Sequence, residues 1–329
     1  MDVRFDFHKM AENIEIDHNF AGHNGLKEGL YRFQKNKGAV VGLVFVALIV
    51  LSAVIAPAIS PYAYDEIHTA WQNLPPRVPL IEKLGILDST RKGVNLYEKA
   101  GLGSTYFLFG TDTLGRDLFT RVFCGVQISL LIAFIAAGVD MVIGVTYGLV
   151  CGYYGGRVDM VMQRVIEIVH SIPNLVVVTM LMILLKPGVG SIIVALLISG
   201  WIGMSRLVRA QTLKLKQQEY ILASRTLGAS NRSIIFGEIL PNTFGQIIIM
   251  TMTSIPGAIF MESYLSYIGL GIPAPQASLG SLISDGYKTM LTYPYQLIIP
   301  ALVFAILMIS LNLVADGLRD ALDPRMKDM

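Results

Sequence analysis

Charge is scarce in this chain. Asp, Glu, Lys and Arg make up 15% of its 329 residues, where water-soluble domains carry roughly 25%. So little charge excludes an ordinary water-exposed surface and fits a chain surrounded by lipid. The charges nearly cancel, to a net +2, which leaves no broad basic footprint for nucleic acid. Cysteine is scarce too: only Cys124 and Cys151 occur. Both fall on one expected long helix, where 1.5 Å of rise per residue sets them roughly 40 Å apart. That is far beyond disulfide reach, so they read as small apolar packing residues. No Gly-Lys pair occurs in the chain, which excludes a P-loop. There is no His-Glu-x-x-His run, and the histidines are too scattered for a zinc face on a helix. Lone serines in apolar helices bond to their own backbone more often than they attack substrates. The chain itself reads as no enzyme and binds no cofactor.

An apolar run near the start is also missing. Residues 1–24 are polar and hold Asp2, Asp6, Glu12, Glu15 and Asp17, unlike a secretory signal. They read as a cytoplasmic tail, and the spacing of His8, His18 and His23 matches no usual ligand set.

Apolar residues are abundant, at 53%, with a mean hydropathy of +0.57. A membrane-spanning helix needs about 20 mostly apolar residues. Six stretches qualify: about 38–59, 122–150, 158–186, 189–208, 242–270 and 294–316. The fold class expected is therefore an all-α membrane protein of six transmembrane helices. Pro173 and Pro256 are expected to kink or break their helices. Lys and Arg set the orientation. Arg32, Lys35 and Lys37 precede the first span, Arg157 lies in the turn between the second and third, and Arg164 is early in the third. Arg206, Arg209, Lys214, Lys216, Arg225 and Arg232 cluster between the fourth and fifth, and Arg319, Arg325 and Lys327 follow the last. Both termini are expected in the cytoplasm. Residues 25–37, with Leu26, Leu30 and Phe33 at helical spacing among basic residues, read as an amphipathic interfacial helix. Residues 60–121 form an outward insertion too long for mere connection. Residues 122–316 hold spans two to six, and 317–329 are a second cytoplasmic tail.

The cytoplasmic loop 209–241 is more than a turn. Glu219 stands at a helix start, where a carboxylate suits the dipole. Tyr220, Ala223, Ser224 and Leu227 share one face, beside Arg225. Gly228 is placed to end the helix. A short helix with a small, apolar patch outside the membrane suits docking into another protein. Asp140, Glu167, His170 and Glu262 are ionisable groups within expected spans and are candidates for lining or gating a path. Pairing across helices with Arg121, Arg164, Gln127, Gln163 or Asn174 is the other reading.

This loop resembles the signature loop of binding-protein-dependent ABC importer permeases: Glu-Ala-Ala, a short spacer, Gly, a longer spacer and Ile-x-Leu-Pro. Here Ala223, Gly228 and Leu240-Pro241 match, while Leu222, Ser224 and Glu238 depart from it. Glu219-Tyr220-Ile221 and Ile239-Leu240-Pro241-Asn242 resemble the dipeptide, oligopeptide and nickel branch. So do Gly110-Thr111-Asp112 with Gly115-Arg116-Asp117, the turn Gly152 to Asp159, Glu262 to Gly271, and the tail Asp316 to Arg325. The similarity runs from roughly residue 25 to 325 and favours the C-type permease of that branch. The resemblance implies a type I importer in the bacterial cytoplasmic membrane. A second permease would complete its pathway, and an extracytoplasmic binding protein would deliver solute. Two ATPase subunits using ATP and Mg would grip residues 219–228. Oligopeptides are the favoured substrate over dipeptides, nickel or other small solutes. A secondary transporter or channel built on Asp140, Glu167 and Glu262 leaves the loop without a task. A membrane enzyme lacks its signatures.

Overall fold

Long apolar runs make helices here because lipid offers the backbone no hydrogen-bond partner. The computed structural model describes residues 25–79, 90–91, 94–103 and 105–322. The tail 1–24 with its histidines, and the stretch 323–329 with Arg325 and Lys327, lie outside the described residues. Helix α1 (Gly25–Lys35) leads into α2 (Lys37–Ile59), whose N-cap Asn36 accepts from the Ala39 backbone at 3.2 Å. After the insertion comes α4 (Leu118–Tyr154), capped by Asp117, which accepts from Thr120 N at 2.9 Å. Cys124 and Cys151 both lie on α4 and are unpaired, as expected. Helices α5 (Gly156–Ser171) and α6 (Asn174–Leu185) meet at a 77° bend. Proline is the cause: Pro173 has no N–H to donate and pushes Ile172 into extended backbone.

Helices α7 (Val189–Leu197) and α8 (Trp201–Leu215) form one long segment. The short α9 (Glu219–Thr226) and α10 (Asn231–Ile234) follow. A π turn at Ile235–Ile239 then runs into α11 (Leu240–Leu265). Pro256 sits inside α11 without ending it. Helix α12 (Leu279–Thr289) packs Leu279 and Leu282 into the core of the bundle and precedes α13 (Tyr295–Leu322). Among the described residues, five segments are long and apolar enough to cross a membrane, six if the bent pair α5–α6 is one span. Several run further than the apolar stretches indicate: α8 to Leu215, α13 to Leu322, and the fifth span from Asn231.

Helix α4 is the hub. Gly144, Gly148 and Gly152 recur every fourth residue along it and let α8 approach closely. A Cβ at Gly148 would stand 2.6 Å from the Ser205 carbonyl oxygen and 2.8 Å from Val208 Cβ. The other side of α4 packs Val122, Val126 and Ala133 into a core with Ile255 and Ile259 of α11 and Leu307 of α13. Gly148→Val is expected to destabilise the bundle by about 1–3 kcal/mol, as overpacking does. It should appear as a lowered melting temperature of the purified protein.

The insertion is folded. Leu74, Tyr97 and Phe107 form its buried centre with Tyr62 and Trp71 around them. A two-residue antiparallel pair joins β1 (Thr90–Arg91) to β2 (Val94–Asn95), leading into α3 (Leu96–Lys99). The motif from Gly110 to Asp117 is a latch between this insertion and the spans. Asp112 accepts from Leu114 N at 2.8 Å and Arg116 N at 3.0 Å, and its Oδ2 lies 2.7 Å from Arg116 Nε and 3.4 Å from Arg121 Nε. Thr111 O takes Gln296 Nε2 and Tyr295 OH, both at 3.0 Å, from α13. Gly110 and Gly115 have φ of +77° and +75°, and a Cβ at either would strike the backbone of Leu74 or His68. Burial pushes the Asp117 carboxyl up, against its hydrogen bonds from Thr120 and Phe119. Asp112→Asn is expected to cost about 1.5–3 kcal/mol through its charged hydrogen bonds. Limited proteolysis of the insertion should then speed up relative to the unchanged chain.

Candidate functional site

The loop after α8 is built as a short helix held against the inner ends of the spans. Gln218 is extended (φ −73°, ψ 146°) and turns the chain into α9, with Glu219 in its first turn. The far end closes as a glycine-terminated helix does. Gly228 has φ +87°, its N–H reaches Arg225 O at 3.1 Å, and Ala229 N reaches Ser224 O at 3.0 Å. Ser230 then caps α10 by accepting from Ser233 N at 3.2 Å. The stop expected at Gly228 and the start at Glu219 are both where the helix has them.

One side of α9 is anchored. Ile221 is fully buried among Leu149 and Tyr153 of α4, Val208 of α8, and Ile234 and Ile239 at the start of the fifth span. Polar ties surround it. Tyr153 OH donates to Asn231 Oδ1 at 2.8 Å, and the Arg225 guanidinium lies 5.7 Å from the Tyr153 ring centre. Lys216 Nζ donates to Gly152 O at 2.8 Å. Arg209 grips Asp159 through two 2.6 Å bonds, joining α8 to α5. The opposite side is open: Tyr220, Leu222 and Ala223 are exposed, and Leu227 is 88% exposed. Ser224 is half-buried and Arg225 is exposed. Burial, and then the Glu238 charge, push the Tyr220 phenol up. The arrangement is a rigid stub with an apolar tip, connected to three span ends. The reading by periodicity found the open face and missed Ile221, the residue that fastens it.

The four ionisable span residues do not converge, and no hydrogen bond or ion pair joins any two of them among the described residues. Glu262 of α11 is wholly buried and accepts from Ser129 Oγ at 3.0 Å and Ser266 Oγ at 2.9 Å. Asp140 is half-buried on α4 against Gly200, with Oδ1 sealed and unpartnered. Glu167 pairs with Arg164 at 2.6 Å on the exposed side of α5, and His170 is exposed beyond it. The other suggested pairings are replaced. Arg121 holds Asp112 and Tyr64 O, Gln127 donates to Ala53 O, Gln163 to Cys151 Sγ, and Asn174 accepts from Ser199. These partners lie on the insertion, on a backbone carbonyl and on the Cys151 and Ser199 side chains, which a pattern of ionisable residues in spans does not reveal. Also unforeseen is a cavity of about 190 Å³ between α8, α11 and α13, where Gln246, Thr253 and Arg319 gather. Among the described residues no group of three or more His, Cys, Asp or Glu could hold a metal.

Comparison with known proteins decides the family. Residues 144–328 match the binding-protein-dependent transport system inner membrane component family. The chain belongs to that family. Residues 26–76 of this permease match the N-terminal TM domain of oligopeptide transport permease C. It is 42% identical over 301 residues to the oligopeptide transport system permease protein OppC of Bacillus subtilis (strain 168), covering 92% of this chain and 90% of that one. It is 43% identical over 297 residues to the dipeptide transport system permease protein DppC of the same organism, covering 90% and 84%. A solved structure of the MetNI methionine ABC transporter in an inward-facing conformation aligns at a TM-score of 0.48 and 16% identity, covering 60% of this chain and 94% of that one. The C-type resemblance and the all-helical, multi-span class both hold. The permease is a multi-pass membrane protein.

Proposed function

We propose that this permease is one of two that together form the pathway of an ATP-driven peptide importer. An extracytoplasmic binding protein delivers peptide, oligopeptides being the favoured class. Two ATPase subunits, using ATP and Mg, supply the work. The observation that carries the reading is the stub α9, open at Leu227 and Ala223 and fastened through Ile221 to the ends of several spans. A device that transmits motion needs both an exposed contact and a stiff connection to what moves. Glu219, Tyr220, Ala223, Ser224, Arg225, Leu227 and Gly228 form that contact or shape it. Both termini and α9 lie in the cytoplasm, by the distribution of Lys and Arg.

In this reading the pathway runs past polar groups that lipid would not tolerate. Gln246, Thr253 and Arg319 line it at one level, and Glu167 and His170 border it along α5, while Asp140 stands against Gly200 as a gating group. Glu262 has a different part, joining α4 to α11 through serines. The test is reconstitution. The complete complex in proteoliposomes should accumulate labelled peptide only with ATP, Mg and binding protein present, over a ladder of peptide lengths. Accumulation driven by an ion gradient without ATPase subunits would refute the reading in favour of a secondary transporter.

A further inference from the structure

A groove of about 430 Å³ runs between α4 and the α10–α11 segment, on a side of the bundle that transport has not claimed. Its walls are apolar, with Val145 and Leu149 on α4 and Leu240 and Phe244 on α11. Midway, the Thr146 hydroxyl is spent on Val142 O at 2.7 Å, and the other polar lining stands at one end, with Arg232 and Tyr154. Both are exposed, and the Arg232 guanidinium makes no ion pair or hydrogen bond with any described residue. Along α4 the groove extends from Met141 to Tyr154, roughly 20 Å at the helical rise. One leaflet of hydrocarbon is roughly 15 Å deep. The trough therefore has the length of one leaflet, with a free cation where a headgroup would sit. The Gln246 and Thr253 side of α11 is turned roughly 120° away around the helix, so the polar wall and the apolar trough face different surroundings.

We propose that this groove seats one anionic phospholipid of the inner leaflet, its phosphate on Arg232 and an acyl chain between α4 and α11. A basic end between membrane helices on the cytoplasmic side is the chemistry that holds anionic headgroups. The assignment of leaflet rests on the orientation proposed above. The choice of lipid over a protein occupant rests on the charge at one end and the match to one leaflet.

The test uses the whole importer complex, purified in mild detergent and exchanged into phosphatidylglycerol or phosphatidylcholine. Native mass spectrometry should show phosphatidylglycerol retained on this subunit at least ~10-fold over phosphatidylcholine, a preference of about 1.4 kcal/mol. Arg232→Glu, at an exposed site, should remove that preference, and Val145→Trp should lower retention by filling the trough. Equal retention of the two lipids, or an unchanged preference in Arg232→Glu, overturns the seat. So does efficient cross-linking of Phe236→Cys to the partner permease, which would show that protein covers the groove. Selective retention by a complex that imports no peptide supports the seat and counts against the transport reading alone.

Discussion

Ala223→Glu is expected to lower peptide uptake by the assembled importer at least ~100-fold while the chain still inserts in the membrane. Ala223 is exposed on the open side of α9, next to Tyr220 and in line with Leu227. Docked in a partner's groove, a carboxylate there would be buried without a cation. Burying an unpaired charge costs about 3–5 kcal/mol, and each 1.4 kcal/mol is a factor of ten. In the free chain the same carboxylate meets water, so folding should be untouched. Gly228→Pro reaches the same result by another route. Its φ of +87° is closed to proline, and its N–H bond to Arg225 O is lost. Peptide uptake in proteoliposomes, set beside the amount of chain in the membrane, measures both. Undiminished uptake in Ala223→Glu would detach α9 from the transport cycle.

Ile221→Asp should uncouple the machine from the opposite side of the same helix. Ile221 is fully buried among Leu149, Tyr153, Val208 and Ile234, so an aspartate there places a charge in an apolar core. A cost of about 3–5 kcal/mol falls on the attachment of α9. The stub should detach and leave the span ends free of whatever moves it. Ile221→Ala removes the packing without adding charge and is expected to cost about 2–5 kcal/mol. The signature of both is ATP hydrolysis without matching peptide uptake. Purified complexes carrying Ile221→Val should stay close to the unchanged chain in both activities. A loss of hydrolysis and uptake in equal proportion would mean that Ile221 supports assembly rather than coupling.

The spans were legible because a run of apolar residues long enough to cross a bilayer has few other meanings. Their inner ends were not. Arg209 and Lys216 read as loop charge, yet they continue or follow α8 because Asp159 and the Gly152 carbonyl receive them. The break at Pro173 was readable from one residue, since proline lacks the donor a helix needs. Pro256 carries the same signal and stands within a continuous α11, because neighbouring segments decide whether a freed carbonyl is tolerated. Helix α9 was marked at both ends by Glu219 and Gly228. In eight residues, however, Tyr220, Ile221, Leu222 and Leu227 are all apolar or aromatic. Only the fold shows that Ile221 turns inward and Leu227 outward. The latch at Asp112 was visible as a motif but not as a structure, because Gln296 and Arg121 reach it from distant segments.

The central claim is that α9 touches an ATPase on the cytoplasmic side and moves with it. Site-directed cross-linking at the most exposed position tests it most directly. Leu227→Cys, in a chain with Cys124 and Cys151 replaced, is joined to cysteines placed along the ATPase surface of the working complex. The account predicts one efficient cross-link that a membrane-impermeant thiol reagent blocks only from the cytoplasmic side, with locked complexes losing peptide uptake. Labelling from the exterior, or a fully active importer in which Leu227→Cys meets no ATPase residue, would contradict it.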